Sequence, residues 1–498
     1  MKKIHKIIIF LIIVSFVSVS CGDDVLNIEP LSNITVGRYW KTEEDAESAL
    51  YGAYTYFRGA AGAGWGDPSL LYAIGEARSE TMAPGQLVYT TAKYYIDSDF
   101  SLLFQGPEWS SFYRMIHNAN LVLKYVPGIE FKSQEKKNNI LAQAYAIRAY
   151  LYFRMAQTWG DLPLRLEPIE SVDPDVLYIE RTPKSKIFEV IKEDIDKAIT
   201  LFGNDNSFPT GRNVWSKPAV NALKADVYLW TGKAEDGGNS DFTTALNALN
   251  DIETSDVGLL DNFRQVFTEK GNKEILFAFY GDNIEGSASN ASLMNFQFNP
   301  TGIPDSILQI IGPASGSGYF YLSDLVANQF TNDDQRKNAT FCDVYTVVDG
   351  VKSYYGRSVV KAPGIIEFNQ RKWIDDYPIY RYADVLLMKA EAKNALGQDP
   401  SAEMNKVRER AYKENFGEHT FVNGSKSQND EAILKERLLE LVTEGKRWHD
   451  LVRFGKAFEL VPALQDNVGD DYLLLFPLSK NILSQEPKVK QNPGYENL

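Results

Sequence analysis

The stretch ERLLELVTEGKRWHDLVRFG, residues 436–455, is the most legible part of the chain. Leu434, Leu438, Leu441, Gly445, Trp448 and Val452 recur at helical spacing, which predicts one apolar seam and a helix from about Asp430 to Phe454, the longest in the molecule. Charged residues fill the remaining faces. Helices of this kind need partners to bury the seam, and the rest of the chain offers them.

Upstream, Val385, Met388, Ala392 and Leu396 form a second stripe, closed by Gly397 as a C-cap. Thr42 to Phe57 begins with a threonine cap and acids in its first turn. Trp109–Val126 and Ser133–Trp159 read as an antiparallel helix pair, the second with Ala144, Ile147, Leu151 and Met155 on one face. Ser185–Phe202 and the block around Val220, Leu223, Val227 and Trp230 repeat the pattern. Paired helices of this size point to tetratricopeptide-like hairpins, although no clean 34-residue period survives. The expected fold is mainly α: a helical scaffold over about 38–58, 109–252 and 377–455. Loop-rich insertions over about 60–108 and 281–372 carry short strand-like runs such as CDVYTVVDG, and long loops on a rigid scaffold are where recognition concentrates.

The N-terminus, MKKIHKIIIFLIIVSFVSVSCGDD, has a lysine head and an apolar core of roughly thirteen residues, short of the ~20 needed to cross a membrane. Cys21 follows the small residues Ser18 and Ser20, although Ser18 stands where a lipobox carries leucine. Residues 1–20 are therefore expected to be a lipoprotein signal peptide and Cys21 the lipidated start of a single domain, 21–498. Each buried methylene of an acyl chain such as palmitate yields about 0.8 kcal/mol, so two or three chains hold firmly. The other cysteine, Cys342, is left without a disulfide partner. Net charge is −14, and losing Lys2, Lys3 and Lys6 with the signal makes it −17; no basic run offers a nucleic-acid face.

Signatures of catalysis are sparse. There is no HExxH, GxSxG, P-loop or EF-hand pattern, and no metal or cofactor is expected. Of four histidines, His5 lies in the signal, His117 within a helix, and His449 beside Glu444 and Asp450 on a charged face better read as ion pairs. Asp333–Asp334 and Asp375–Asp376 could imitate a glycosidase dyad, but adjacent acids in polar loops are ordinarily solvated.

Taken together, RYWKTEEDAESALYGAY (38–54), WSSFYRMIHNANLVL (109–123), AQAYAIRAYLYFRMAQTWGDLPL (142–164), NALKADVYLWTG (221–232), YPIYRYADVLLMKAEAKNALG (377–397), MNKVRERA (404–411), the opening stretch and LLLFPLSKNILSQEPKVKQNPGY (473–495) resemble the SusD-like (RagB/SusD) family of nutrient-binding outer-membrane lipoproteins. The resemblance implies a lipid-anchored, surface-exposed binder of oligosaccharide that caps a SusC-like TonB-dependent transporter. It implies no enzymatic activity. Gly22-Asp23-Asp24 resembles the family's surface-export signal. The same scaffold could instead take up peptide or another nutrient; a glycoside hydrolase and a lid without a ligand site are further alternatives.

Sugars present an apolar C–H face and a rim of hydroxyls, so a site for them pairs flat rings with amides and charged groups. Trp65, among Gly62, Gly64 and Gly66, is the first candidate for ligand contact. Tyr319, Phe320 and Tyr321 follow; an extended run would place Tyr319 and Tyr321 on one side. Tyr89, with Tyr94 and Tyr95, is weaker, and Arg78, Glu80 and Asn295 are possible hydrogen-bonding partners. Trp109, Trp159, Trp230 and Trp448 read as packing.

Overall fold

Helix-forming blocks follow one another along the chain and each packs on its neighbours in sequence. The computed structural model describes residues 39–56, 71–86, 90–101, 106–282, 291–314 and 316–496. Its long helices are α1 (Glu43–Tyr56), α2 (Ser110–Tyr125), α3 (Gln134–Trp159), α4 (Lys184–Phe202), α5 (Lys217–Ala234), α6 (Gly238–Ile252), α7 (Tyr382–Ala395), α8 (Ser401–Tyr412) and α9 (Lys426–Leu441), followed by the short α10 (Arg447–Arg453). Helix α1 packs on α2, α2 on α3, α3 on α4, α4 on α5, α5 on α6, α6 on α7, and α7 on both α8 and α9. This is the serial stacking of a tetratricopeptide-like scaffold.

Local chemistry sets the ends. The Thr42 hydroxyl accepts from the Asp45 N–H while the Asp45 carboxylate accepts from the Thr42 N–H at 2.8 Å, a reciprocal cap that starts α1. Ser133 caps α3 on the Lys136 N–H. Helix α7 stops on Gly397, φ 73°, where the Gly397 N–H reaches the Asn394 carbonyl and the Gln398 N–H reaches Lys393, the Schellman pattern. Almost every residue of α3 from Ala142 to Trp159 is buried, so this helix is the spine rather than a surface helix. Trp109, Trp159, Trp230 and Trp448 are all in the core.

The opening stretch departs from expectation. It forms two helices, α9 and α10, separated by a turn at 442–446, and α3 is longer than either. Thr443 and Gly445 both take positive φ, 71° and 70°. The backbone donors of Thr443, Gly445 and Lys446 bond to the carboxylate of Glu76 at 3.0, 3.1 and 3.3 Å. A continuous helix would need those N–H groups for itself; a buried carboxylate from another segment has taken them.

Four antiparallel two-stranded pairs occur among the described residues, three of them built from the insertions: β1 (Met82–Pro84) with β3 (Phe320–Leu322), β4 (Phe341–Val348) with β5 (Val351–Val359), and β6 (Ile365–Glu367) with β7 (Gln370–Lys372); the fourth, β2 (Ile275–Phe279) with β8 (Tyr377–Arg381), flanks the second insertion. The insertion expected over 60–108 is not uniformly a surface loop. Every residue from 71 to 82 is buried, around a π-helical turn, Ala73–Ala77, that carries Glu76. Cys342 is unpaired and half-buried.

Ion pairs knit the C-terminal helices to the strands. Arg381 donates to Glu274, Glu440 and Glu444, Arg410 and Arg336 also meet Glu440, Arg336 adds Asp334 and Glu436, and Lys361 bonds Glu444. A second buried set links Asp384, Arg437, Asp450, Arg453, Glu391, Asp226 and Arg154. In such interiors each charge is tolerable only while its partners stay in place.

Candidate functional site

Strands β1 and β3 are only three residues each, yet they bring together two loops that are far apart in sequence. Ala83 faces Tyr321 across the ladder, Pro84 faces Phe320, and the Gly85 N–H continues the pairing to the Tyr319 carbonyl. A β-carbon on Gly85 would lie 2.2 Å from the Gly318 carbonyl oxygen, so the approach of the two backbones requires glycine there. Gln86 then ties in two further segments. Its amide oxygen accepts from the Gln297 N–H at 2.7 Å, and its nitrogen donates to the Phe298 carbonyl at 2.8 Å and the Tyr355 hydroxyl at 2.6 Å.

Around this junction the rings converge. Phe296 stands edge-on to both Tyr321 and Tyr355, at 5.3 and 5.5 Å between centroids. Along β3 Phe320 and Leu322 point into the core while Tyr321 is half-buried beside Phe296, but Tyr319, just before the strand, packs against the same core as Phe320 rather than beside Tyr321. Phe320 is 0% exposed and packs inside at a tilt against Tyr72, so it shows no face to a ligand; burial corrects that assignment. Burial, followed by the nearby Tyr355 and Tyr354 phenols, pushes the Tyr321 hydroxyl well above its ordinary range. Two rings in the segments joined here are open to solvent, Phe298 at 54% and Tyr354 at 61%. These segments thus offer exposed ring faces, suited to a sugar's C–H face.

Trp65, Tyr89 and Cys21 lie outside the described residues. Tyr94 and Tyr95 are buried against Phe100 and Phe476, so they are core. Arg78 is also enclosed: its guanidinium sits over the rings of Trp448, Phe100 and Phe476 at 4.3 to 4.8 Å and donates to the carbonyls of Leu473 and Leu475. Glu80 pairs with Arg447. Asn295 bonds Ser358 and the Val359 carbonyl. All three serve the architecture because each buried polar group must be satisfied where it lies. Phe298, Tyr354, Tyr355 and Gln86 were not singled out in sequence; the adjacent tyrosines of SYYGR, 353–357, were the available signal.

The candidate acids and bases are likewise held by structure. His449 is buried edge-on to Trp230, and desolvation pushes its pKa well below the ordinary value. His117 accepts from the Ile169 N–H. Asp333 bonds His419 at 2.7 Å while Asp334 clamps Arg336, and Asp375 and Asp376 accept from the N–H groups of Gly364 and Gly281. Each member of either pair has its own structural partner. No group of His, Cys, Asp and Glu among the described residues is arranged to hold a metal ion.

Residues 353–473 match the family described as the SusD family, and residues 88–229 match one described as starch-binding associating with outer membrane. SusD-like protein P38 of Formosa agariphila is 30% identical over an alignment of 534 positions, covering 99% of this chain and 100% of that one. SusD-like protein P25 of the same organism is 26% identical over 508 positions, covering 93% and 92%. Among solved structures, NanU of Bacteroides fragilis superposes with a TM-score of 0.79 at 31% identity, over 94% of this chain and all of that one. A SusD superfamily protein from Bacteroides vulgatus does so at 0.78 and 29%, over 92% and 100%. With end-to-end likeness to a SusD-like relative and a helical scaffold that superposes on SusD structures, the chain belongs to the SusD family.

Proposed function

We propose that this protein is a non-catalytic, lipid-anchored binder that captures oligosaccharide at the outer membrane and passes it to a TonB-dependent transporter. The observation that carries the reading is the aromatic surface at the β1–β3 junction, where Phe298 and Tyr354 stand exposed beside Tyr321, Tyr355 and Gln86. Large exposed rings held by a hydrogen-bonded frame are costly in water unless something covers them. The starch-binding description of the family matched over residues 88–229 supports glycan as that occupant. Trp65 and Tyr89 remain proposed contacts, with Tyr319 and Tyr321.

Anchoring through acylated Cys21 would hold the site beside its transporter, so modest affinity suffices: tethering raises the local concentration of captured ligand. No helix among the described residues is long and apolar enough to cross a membrane, so attachment falls to the N-terminal cysteine in this reading. Titration calorimetry with a panel of glycans and peptides tests it. Glycan binding that weakens by about 1–3 kcal/mol in Phe298→Ala or Tyr354→Ala is the expected result. Saturation by peptides alone would reject the sugar assignment.

A further inference from the structure

A second groove lies on the helical scaffold and shares no lining residue with the aromatic surface above. It has two lobes. One, of about 350 Å³, is lined by Tyr51, Tyr54, Pro209, Thr210, Asn213, Val214, Phe279 and Tyr280. The other, of about 320 Å³, runs between α1 and the first half of α3, past Glu47, Lys136, Asn139 and Gln143. Tyr51 and Val214 belong to both walls, so the lobes adjoin at those residues. Each lobe is at the lower end of the 300–1,000 Å³ typical of small-ligand sites.

Three observations separate this groove from an ordinary gap between helices. First, Tyr51 is 57% exposed on α1, where its helix neighbours Leu50, Ala53 and Tyr54 are buried. Second, the polar groups around it are preset. The Tyr54 hydroxyl donates to the Gln143 amide oxygen at 2.8 Å and accepts from the Trp215 N–H at 2.9 Å, while Gln143 donates to Asn139 at 2.5 Å. Asn213 is pinned by its amide nitrogen to Asp376 at 3.2 Å and to the Ala278 carbonyl, which fixes the orientation of its amide in the lobe wall. Third, the charges are asymmetric. Among the described residues, the first lobe is lined by no ionisable acid or base other than tyrosine. In the second, Lys136 is already paired with Glu43 and Glu47 at 3.3 and 3.0 Å, and Glu135 adds another acid. Among the described residues that line the two lobes, an anionic ligand would meet no spare cation and would face like charge in one.

We infer that this groove is a second glycan site, specific for neutral sugars, in which a ring stacks on Tyr51 while the chain passes from one lobe to the other. The ligand is a linear, uncharged oligosaccharide of at least two rings. The inference rests on the glycan-binding reading proposed above and adds a separate site and a charge preference to it. Stacking on one exposed ring with flanking amides gives orientation without deep burial, which suits a polymer that must slide or be released.

Hydrogen–deuterium exchange of the intact protein with laminarihexaose, cellohexaose and maltohexaose, and with hexagalacturonate as the acidic control, tests this directly. At least one neutral hexasaccharide is expected to protect residues 47–56 and 209–214 in addition to 353–357, and the acidic one to leave the first two segments unprotected. Tyr51→Ala should reduce binding in the groove at least ten-fold and remove the protection at 209–214 while sparing 353–357; Tyr51→Phe should retain it. Protection confined to 353–357, equal protection by hexagalacturonate, or indifference to Tyr51→Ala overturns the groove and leaves the first site standing. No protection by any neutral sugar anywhere overturns both.

Discussion

Gly75 and Gly445 meet backbone to backbone: a β-carbon on Gly75 would sit 1.9 Å from the Gly445 carbonyl oxygen, and one on Gly445 would sit 2.6 Å from the Tyr377 hydroxyl. This contact joins the buried 71–82 segment to the turn between α9 and α10. Gly75→Ala must push the two backbones apart, and Gly445→Ala must also adopt φ 70°. Each is expected to destabilise the fold by about 1–3 kcal/mol or more, read as a lowered denaturation midpoint. Wild-type stability in Gly75→Ala would contradict the contact.

Glu76 sits in the same joint and has a defined pH signature. Burial raises its carboxyl from 4.5 to about 7, against the opposing pull of the Thr443 N–H and the Lys361 ammonium; the Tyr72 and Tyr377 phenols also face it. Below pH ~4.5 both folded and unfolded chains carry the proton. Between there and pH ~7 the unfolded chain releases it first, so folding stability falls as pH rises, by about 3 kcal/mol in all, and levels off above. Glu76→Gln cannot titrate. Its stability relative to wild type should therefore climb through this window, as measured by urea melts at pH 4.5, 6 and 7.5; a constant difference would show that Glu76 stays ionised.

Arg381 is fully enclosed and makes bonds of 2.6 to 2.9 Å to Glu274, Glu440 and Glu444. Removing it leaves several buried carboxylates short of one positive charge. Arg381→Met is expected to cost about 3–5 kcal/mol. Arg381→Lys should recover only part of this, because an ammonium cannot reproduce the fork that spans three acids. Thermal unfolding of the two variants distinguishes the cases.

Cys21→Ser removes the only proposed acylation point. The expected outcome is a protein that leaves the membrane fraction while its glycan titration is unchanged, since no part of either proposed site lies near residue 21 in sequence. Continued membrane retention of the variant would mean that something other than acyl chains holds it.

How much of this was legible in advance depends on where each signal resides. Helix ends set by neighbouring residues were readable: Thr42 and Gly397 cap as their spacing implies, and α3 starts just after Ser133 as its range predicted. The break in 436–455 was not, because its cause is Glu76, 367 residues from Thr443 in sequence. The apolar seam of Leu434, Leu438, Leu441 and Trp448 is equally compatible with one helix or two. The candidate site shows the same division. Tyr319 to Tyr321 and the segment before Tyr89 were flagged for composition, but three-residue strands carry no periodic signal, so their pairing could not be foreseen. Arg78, Glu80 and Asn295 misled because charge or an amide in a loop suggests exposure, whereas here rings and backbone groups elsewhere in the chain enclose them.

The central claim is that the protein holds glycan without cutting it. Native electrophoresis of the intact protein through gels containing single neutral polysaccharides, followed by sizing of the recovered glycan, tests both halves at once. Retarded migration in at least one gel is expected, weakened but not abolished when Phe298 and Tyr354 are both replaced by alanine because the Tyr51 groove remains, with polysaccharide length unchanged. Unretarded migration across the panel, or shortened glycan chains, would contradict it.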